Sequence, residues 1–170
     1  MSADWYDLRR ITYFPEEDVM FLCGCQSAQA CSEAEVWKEV GTQIARYDDW
    51  SKETRTKTYQ KDVPWENEDG FQTLGIAFAG DYIFLQGVRS RAEVRVFTIS
   101  DFTFVGKLMV GSEVGGNGEC GWGDIPYPIN ALKRQNGEYV VAIEDNAKGK
   151  FIVYRWQPVA GISEGYPEIE

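Results

Sequence analysis

Two neighbouring strand patterns in the middle of the sequence constrain the fold most. The first is a short apolar run at residues 82–85, which follows Gly80-Asp81 and ends at Gly87. The second alternates polar and apolar residues at 92–97, before a Ser-Asp turn. Turn residues on both sides of such runs are typical of β-strands. The short basic segment between the two runs therefore indicates a hairpin loop.

The same arrangement of patterns can be found upstream and downstream, which predicts an internal repeat. The three units span about residues 8–62, 71–111 and 125–157. An acidic residue precedes the second strand pattern of each unit, and an aromatic residue ends the third. These residues are Asp18, Asp81 and Glu138, spaced by 63 and 57, and Tyr47, Phe97 and Tyr154, spaced by 50 and 57.

These repeats predict an all-β fold in a single domain, 1–170, of about three antiparallel four-stranded blades of the β-propeller type. Propellers typically need at least four blades to close a ring. We therefore expect the chain to self-associate or to belong to a larger propeller. An antiparallel β-sandwich is the alternative fold.

Two local motifs add to this prediction. Asn136-Gly137 is typical of a two-residue hairpin turn, because both residue types tolerate positive φ. Ser32 and Glu35 form a capping box, which predicts a short helix at residues 32–38.

The composition excludes several classes of function. The chain of 170 residues has a formal net charge of −10, which disfavours nucleic acid and anionic membranes as partners. No apolar run approaches the ~20 residues of a membrane-spanning helix, and the first residues do not resemble a signal peptide. The chain contains no His, so a Ser-His-Asp or Cys-His centre cannot be formed within it.

Four cysteines leave the redox state open. Cys23, Cys25 and Cys31 form a poor zinc motif without His, so we expect no metal there. A disulfide between Cys25 and Cys31 would stabilise the fold by about 2–3 kcal/mol, and one between Cys23 and Cys120 by about 4–5 kcal/mol. Four reduced thiols are the alternative. The possibility of disulfides favours an extracellular location.

The best candidate binding loop lies at residues 119–128, where Gly and Pro fix an irregular backbone. It carries Trp122 and Tyr127 beside Glu119 and Asp124. Aromatic rings stack on the C–H groups of sugars, while carboxylates accept hydrogen bonds from the hydroxyl groups. The alternative is a structural loop whose aromatic side chains fill a gap between blades.

Two further interpretations concern charged residues. Arg89 and Arg91 could bind the carboxylates of a uronic-acid ligand through their forked guanidinium groups. Paired acids could serve glycoside hydrolysis, although most lie at predicted turns. We expect no cofactor; calcium is the only one for which the sequence offers oxygen ligands, at Asp124 and residues 144–146.

Residues 122–131, continued by 133–139 and 150–156, carry a resemblance to a known class of proteins. This part of the chain resembles the C-terminal blades of large microbial β-propeller proteins, which are often secreted and associated with polysaccharide degradation. Uronate-cleaving lyases are among them. The resemblance covers about residues 70–156. Propeller lyases of that sort usually employ a His or Tyr with an Arg, so a chain without His would supply only a supporting wall of a catalytic pocket.

The residues and the resemblance together predict a carbohydrate-binding β-propeller module or segment, for acidic or other plant or microbial polysaccharides. The alternative is an enzyme, namely a polysaccharide lyase or glycoside hydrolase or the C-terminal part of one. A structural or protein-interaction module is the second alternative. The expected partners are an oligo- or polysaccharide and either a second copy of the chain or the remainder of a propeller.

Overall fold

The computed structural model describes residues 5–33, 40–64, 71–88, 93–109, 129–145 and 150–158. It divides into two compact units, Met1–Leu74 and Gly75–Glu170. The strands of the described residues are β1 (Asp7–Phe14), β2 (Val19–Cys25), β3 (Gln43–Asp48), β4 (Thr56–Asp62), β5 (Gln72–Ala79), β6 (Tyr82–Val88), β7 (Glu93–Thr98), β8 (Phe104–Met109), β9 (Asn130–Lys133), β10 (Tyr139–Asp145) and β11 (Lys150–Trp156).

The first unit contains sheet 1, in which β1, β2, β3 and β4 lie side by side in chain order. The antiparallel hairpin between β1 and β2 turns at residues 15–18, where Asp18 has a φ of 54°. Gly24 of β2 lies directly against the backbone of β1, since a Cβ atom on it would overlap the carbonyl oxygen of Asp7. Sheet 1 therefore needs a residue without a side chain at this position.

The short helix lies earlier in the chain than the capping box predicts. Helix α1 spans Ala28–Glu33. Its N-cap is Ser27, whose hydroxyl oxygen accepts a hydrogen bond from the backbone N–H of Ala30 at 3.1 Å. Ser32 lies inside this helix and donates its hydroxyl to the carbonyl of Gln29 at 2.8 Å. The prediction of a helix beginning at Ser32 was wrong, and residues 34–39 lie outside the described residues.

The second unit contains sheet 3, formed by β9, β10 and β11, and sheet 2, formed by β5, β6, β7 and β8 in chain order, except for the first three residues of β5. The two sheets pack face to face around one hydrophobic core, since one cluster of buried side chains draws on both. Sheet 2 contributes Ala77, Ala79, Phe84, Val94, Val96 and Leu108 to this cluster. Sheet 3 contributes Tyr139, Val141 and Ile143, and Ile129, which directly precedes β9, completes it.

Sheets 1 and 2 share a pairing register, which supports the internal repeat. Met20 lies opposite Tyr47 in sheet 1, and Ile83 lies opposite Phe97 in sheet 2. In each sheet the third and fourth strands shift register at the same aromatic residue, between Arg46 and Tyr47 and between Val96 and Phe97. A β-bulge at one repeated position increases the twist of both sheets in the same place.

Sheet 3 departs from this pattern. In sheet 3 the aromatic residue Tyr154 lies opposite Val141, which is three residues after the acid Glu138. In the other two sheets the aromatic residue lies opposite the residue two positions after the acid. Within the described residues sheet 3 has three strands, so the prediction of four per unit holds only for the first two units.

The hairpin that precedes β10 is also different from the prediction. The backbone N–H of Gly137 donates to the carbonyl of Arg134 at 3.0 Å, and the N–H of Arg134 donates to Glu138 at 2.7 Å. The loop therefore has three residues, and Gly137 alone has a positive φ, of 84°. This is a type I turn followed by a left-handed glycine, not a two-residue turn in which Asn136 is also left-handed.

The fold class is confirmed at the level of all-β antiparallel architecture. The described residues form three antiparallel sheets, and none of the three closes on itself. The arrangement of these sheets as propeller blades, and the alternative of a sandwich, stay predictions.

Candidate functional site

The ends of several strands of the second unit bring aromatic and charged side chains together at one rim of sheets 2 and 3. Asp81 lies in the turn before β6, and Tyr82 begins that strand. Lys133 ends β9, Tyr139 begins β10 and Trp156 ends β11. We name these five residues the rim cluster.

The aromatic rings of the rim cluster contact each other, with the two pairs that involve Tyr82 edge to face and the third pair tilted at 48°. The ring centroids of Tyr82 and Trp156 are 4.8 Å apart at 80°, and those of Tyr82 and Tyr139 are 5.2 Å apart at 81°. Tyr139 and Trp156 are 5.4 Å apart. Such pairs stabilise more than their buried area alone. Tyr139 is buried, whereas Tyr82 and Trp156 each keep part of their surface exposed.

A charged pair lies beside these rings. The Lys133 ammonium is 2.8 Å from Oδ2 of Asp81, and the Tyr139 hydroxyl donates to the same oxygen at 3.2 Å. The hydrogen bond from Lys133 is the main reason why the pKa of Asp81 is lowered, and that bond in turn raises the pKa of Lys133. Both side chains stay accessible, at 73% for Asp81 and 43% for Lys133. The pair is ionised and has no net charge.

Gly80 makes this approach of the two sheets possible. A Cβ atom at this position would lie 2.5 Å from Cδ of Lys133 and 2.8 Å from the Tyr139 hydroxyl oxygen. The φ of Gly80 is 50°, which favours glycine independently of the space. The Gly80-Asp81 dipeptide of the central hairpin therefore positions the acid of the rim cluster.

The rim cluster can recognise a polar molecule that also has apolar faces. The exposed parts of Tyr82 and Trp156 offer ring surface, Asp81 accepts hydrogen bonds and Lys133 donates them. The Lys133 ammonium lies 5.6 Å from the Tyr139 ring centroid, so a cation–π interaction with this ring also stabilises its position.

A second surface lies on the side of sheet 3 that faces away from the shared core. Leu132 and Val140 lie opposite each other, as do Ala142 and Val153. Phe151 follows on the same side of β11, two residues before Val153. The exposed fractions are 54% for Leu132, 57% for Val153 and 78% for Phe151. We name these five residues the outer apolar face.

Ionic contacts border the outer apolar face. Glu138 lies two residues before Val140, and its carboxylate is 2.9 Å from Arg134 and 2.7 Å from Arg155. Hydrogen bonding from Arg155 is the main reason why the pKa of Glu138 is lowered. The Arg155 and Arg134 side chains are 70% and 51% exposed, so both cations of this triad stay accessible to a partner.

Acidic residues of the first unit have local structural contacts. Asp48 accepts a hydrogen bond from Arg46 at 2.7 Å, and Asp49 is paired with Lys52 at 2.5 Å. Asp18 accepts hydrogen bonds from Tyr13 and Ser51. Among the described residues, no three acidic or Cys side chains are grouped as a metal ion would require.

The site residues predicted from the sequence lie outside the described residues. These are Glu119, Trp122, Asp124 and Tyr127 of the candidate loop, and Arg89 and Arg91 of the hairpin. Sequence reasoning missed the rim cluster, although one signal was present. Each of its residues begins, ends or directly precedes a strand pattern, and strand ends of stacked antiparallel sheets meet at a common rim.

Comparisons with known proteins add no family: neither the protein-family models nor the curated proteins contain a match to this chain. In the part of the chain that the structure describes, no helix has the length and apolar character needed to cross a membrane.

Proposed function

We propose that this chain is a carbohydrate-binding module of the β-propeller type and that the rim cluster contacts the sugar. The observation that carries the proposal is the neutral Asp81–Lys133 pair beside partly exposed Tyr82 and Trp156. A sugar ring has apolar C–H faces and hydroxyl groups that both donate and accept, and this combination of side chains complements both.

Each group of the rim cluster has a defined role in this proposal. Trp156 and Tyr82 contact the C–H groups of the ring, Asp81 accepts from a hydroxyl and Lys133 donates to one. Because Asp81 neutralises Lys133, the rim cluster alone favours a neutral sugar unit over a uronate. A preference for acidic polysaccharides would need further cations, for which the sequence suggests Arg89 and Arg91.

The propeller arrangement is supported by two observations. Sheets 1 and 2 share a register and a bulge position, and sheet 3 packs face to face on sheet 2, as neighbouring blades do. In a propeller, strand ends and their connecting loops form the binding surfaces, which agrees with the place of the rim cluster.

Titration calorimetry with neutral and uronate oligosaccharides tests the proposal. We expect Asp81→Asn to weaken binding about tenfold, since hydrogen bonds to a charged group contribute about 1.5–3 kcal/mol. Lys133→Met should weaken it similarly. Asp18→Asn is the matched control, because Asp18 has the same place in the first repeat and its side chain bonds only within sheet 1.

The outcomes separate binding from packing. Reduced affinity in both rim variants, with thermal unfolding like that of the parent, supports the proposal. Equal affinity of Asp81→Asn, Lys133→Met and the parent would place the sugar elsewhere and overturn the role of the rim cluster. Failure of every oligosaccharide to bind the parent chain would overturn the function itself.

The outer apolar face supports a second candidate, a sheet-stacking assembly module. Three apolar side chains more than half exposed on one sheet face are costly in water. The inner face of sheet 3 packs against sheet 2, which is another unit of the repeat. A further sheet of this repeat should therefore fit the outer apolar face. We propose that a second copy supplies it.

Strand β1 offers a complementary surface in that second copy. Leu8, Ile11 and Tyr13 are 41%, 60% and 41% exposed. The solution mass by light scattering tests this candidate. We expect a dimer or closed oligomer that dissociates in Phe151→Ser, with Phe104→Ser as the control on another exposed aromatic side chain. A monomer at high concentration would overturn self-association.

A further inference from the structure

Two thiols meet where β2 ends and α1 begins. Cys25 is the last residue of β2, and Cys31 lies in α1, six residues later. Ser27 caps the helix between them: its carbonyl accepts from the N–H of Cys31 at 3.0 Å. The chain reverses direction at this N-cap, so that α1 packs against β2. Asp7 lies directly opposite Cys25 in the β1–β2 pair, and the Cys31 thiol bonds to the Asp7 carboxylate, so both cysteines lie beside the same residue.

Strand β1 completes the surroundings of this pair. The Cys31 thiol donates to Oδ2 of Asp7 at 3.1 Å, and Nη2 of Arg9 lies 3.0 Å from the Cys31 sulfur. Arg9 also bonds Asp7, with Nε 3.0 Å from Oδ2. The Arg9 side chain is only 9% exposed, so the cation is held beside the thiols instead of extending into water.

The two thiols differ in access. Cys25 is completely buried, whereas Cys31 keeps part of its surface exposed. Cys23, two residues before Cys25, is also buried, and desolvation raises its pKa to about 12. A dissolved oxidant therefore reaches Cys31 first, and Cys25 is the thiol placed to complete a disulfide.

We propose that Cys25 and Cys31 are a reversible disulfide pair, which ties the first turn of α1 to the end of β2 when it is oxidised. The shared neighbour Asp7, the helix N-cap at Ser27 and the unequal access of the thiols carry this assignment.

The chemistry is an exchange with a small disulfide such as oxidised glutathione. The Cys31 thiolate attacks one glutathione sulfur, which breaks the S–S bond, forms a mixed disulfide and releases one glutathione thiolate. The Cys25 thiolate then attacks the Cys31 sulfur and releases the second glutathione. The protein loses two protons and two electrons, and the glutathione disulfide takes up both electrons to become two thiols.

The surroundings set the rate of this exchange. Burial, the hydrogen bond to Asp7 and the contact with Cys25 raise the pKa of Cys31 to about 11, while Arg9 opposes the shift. Only a small fraction is thiolate at neutral pH, so closure should be slow there and should accelerate as the pH rises. Asp7→Asn should accelerate it at constant pH.

The test uses the full chain with Cys120→Ser as background, so that three cysteines remain. After incubation with oxidised glutathione, intact-mass spectrometry should show the loss of two hydrogens, which dithiothreitol reverses. Fragmentation of the peptide that carries all three cysteines should give no backbone cleavage products between residues 25 and 31.

Single variants identify the partners. Cys31→Ser should show no internal disulfide, and Cys25→Ser should retain one glutathione on Cys31. Cys23→Ala is the control and should close like the parent. If it does not fold, fragmentation of the parent decides. A bond from Cys23, or mixed disulfides that never close in the parent, would overturn the proposal.

Discussion

Asp18 and Asp81 occupy the same place in sheets 1 and 2 but have different contacts. In both, the backbone carbonyl accepts a hydrogen bond from the turn between the third and fourth strands, from Trp50 at 3.1 Å and from Ile99 at 2.8 Å. The side chain of Asp18 bonds only within sheet 1. That of Asp81 bonds to Lys133 of the neighbouring sheet.

The repeat therefore fixes the backbone role of a residue and leaves its side chain open to another use. The backbone carbonyl at this position accepts from the following turn in both sheets, while the positive φ lies at Asp18 in sheet 1 and at Gly80 in sheet 2. The carboxylate of Asp81 is then available for the rim cluster. Substitutions at matched positions of the two sheets therefore show which contacts the sheets share.

The largest effect is expected from Gly24→Ala in sheet 1. A Cβ atom there would overlap the carbonyl oxygen of Asp7, and backbone atoms cannot move aside as a flexible side chain can. We expect a loss of about 3 kcal/mol or more in the free energy of unfolding, measured with denaturant.

Gly106→Ala in sheet 2 is the matched control. Nothing lies within 4 Å of a Cβ atom built on Gly106, so its unfolding free energy should stay within about 1 kcal/mol of the parent. Equal effects of the two substitutions would show that the close approach of β1 and β2 does not exist in solution.

A buried ion pair distinguishes sheet 2 from sheet 1. Nε of Arg95 is 2.6 Å from Glu93, and both side chains are less than 10% exposed, at 9% and 7%. The repeat places Gln43 and Ala45 at these positions in sheet 1. Arg95→Ala should therefore cost about 3 kcal/mol, because Glu93 loses its partner at 2.6 Å and stays buried beside Lys107, whose ammonium is 3.2 Å away.

The double substitution Glu93→Gln with Arg95→Ala gives sheet 2 the residues of sheet 1. We expect it to destabilise less than Arg95→Ala alone, since no charge is left buried without its main partner. Chemical denaturation of the three proteins measures this. A double variant at least as unstable as Arg95→Ala would contradict the equivalence of the two sheets at these positions.

Much of the secondary structure could be predicted because turn chemistry marks it. All eleven strands of the described residues lie on predicted strand patterns, because the Gly, Asp, Asn and Pro residues between them favour turns. The helix was misplaced because two serines compete as N-cap. Ser32 has the better motif, but Ser27 lies two residues after the end of β2 and caps the first turn.

The rim cluster could not be predicted for a different reason. Asp81 and Lys133 are 52 residues apart, and their contact depends on how sheet 3 packs on sheet 2. Periodicity shows which side of a strand is buried but not which strand ends meet. The same limit applies to the thiol pair, where Asp7 and Cys31 approach each other through a 24-residue separation.

The smallest expected effect is the loss of stability at low pH, to which Asp18 and Asp81 contribute through different hydrogen bonds. The pKa of Asp81 is lowered chiefly by its hydrogen bond from Lys133. For Asp18, desolvation raises the pKa, but the hydrogen bonds from Ser51 and Tyr13 outweigh it and the result is a lowered value. A carboxyl group with a lowered pKa in the folded state stabilises the fold above its unfolded pKa of about 4, and this contribution disappears as the pH falls through the folded value.

Carboxyl titration by NMR measures both groups in one experiment. Lys133→Met should raise the pKa of Asp81 towards its ordinary value of 3.8 and leave Asp18 unchanged, while Ser51→Ala should do the reverse. Lys133→Met removes the main donor to Asp81, whereas Ser51→Ala removes the hydroxyl donor to Asp18 and leaves the backbone N–H of residue 51 in place, so the second shift should be partial. If Lys133→Met shifted neither acid, Asp81 would have no bond to Lys133, and the rim cluster would lose the ion pair that distinguishes it from the equivalent corner of sheet 1.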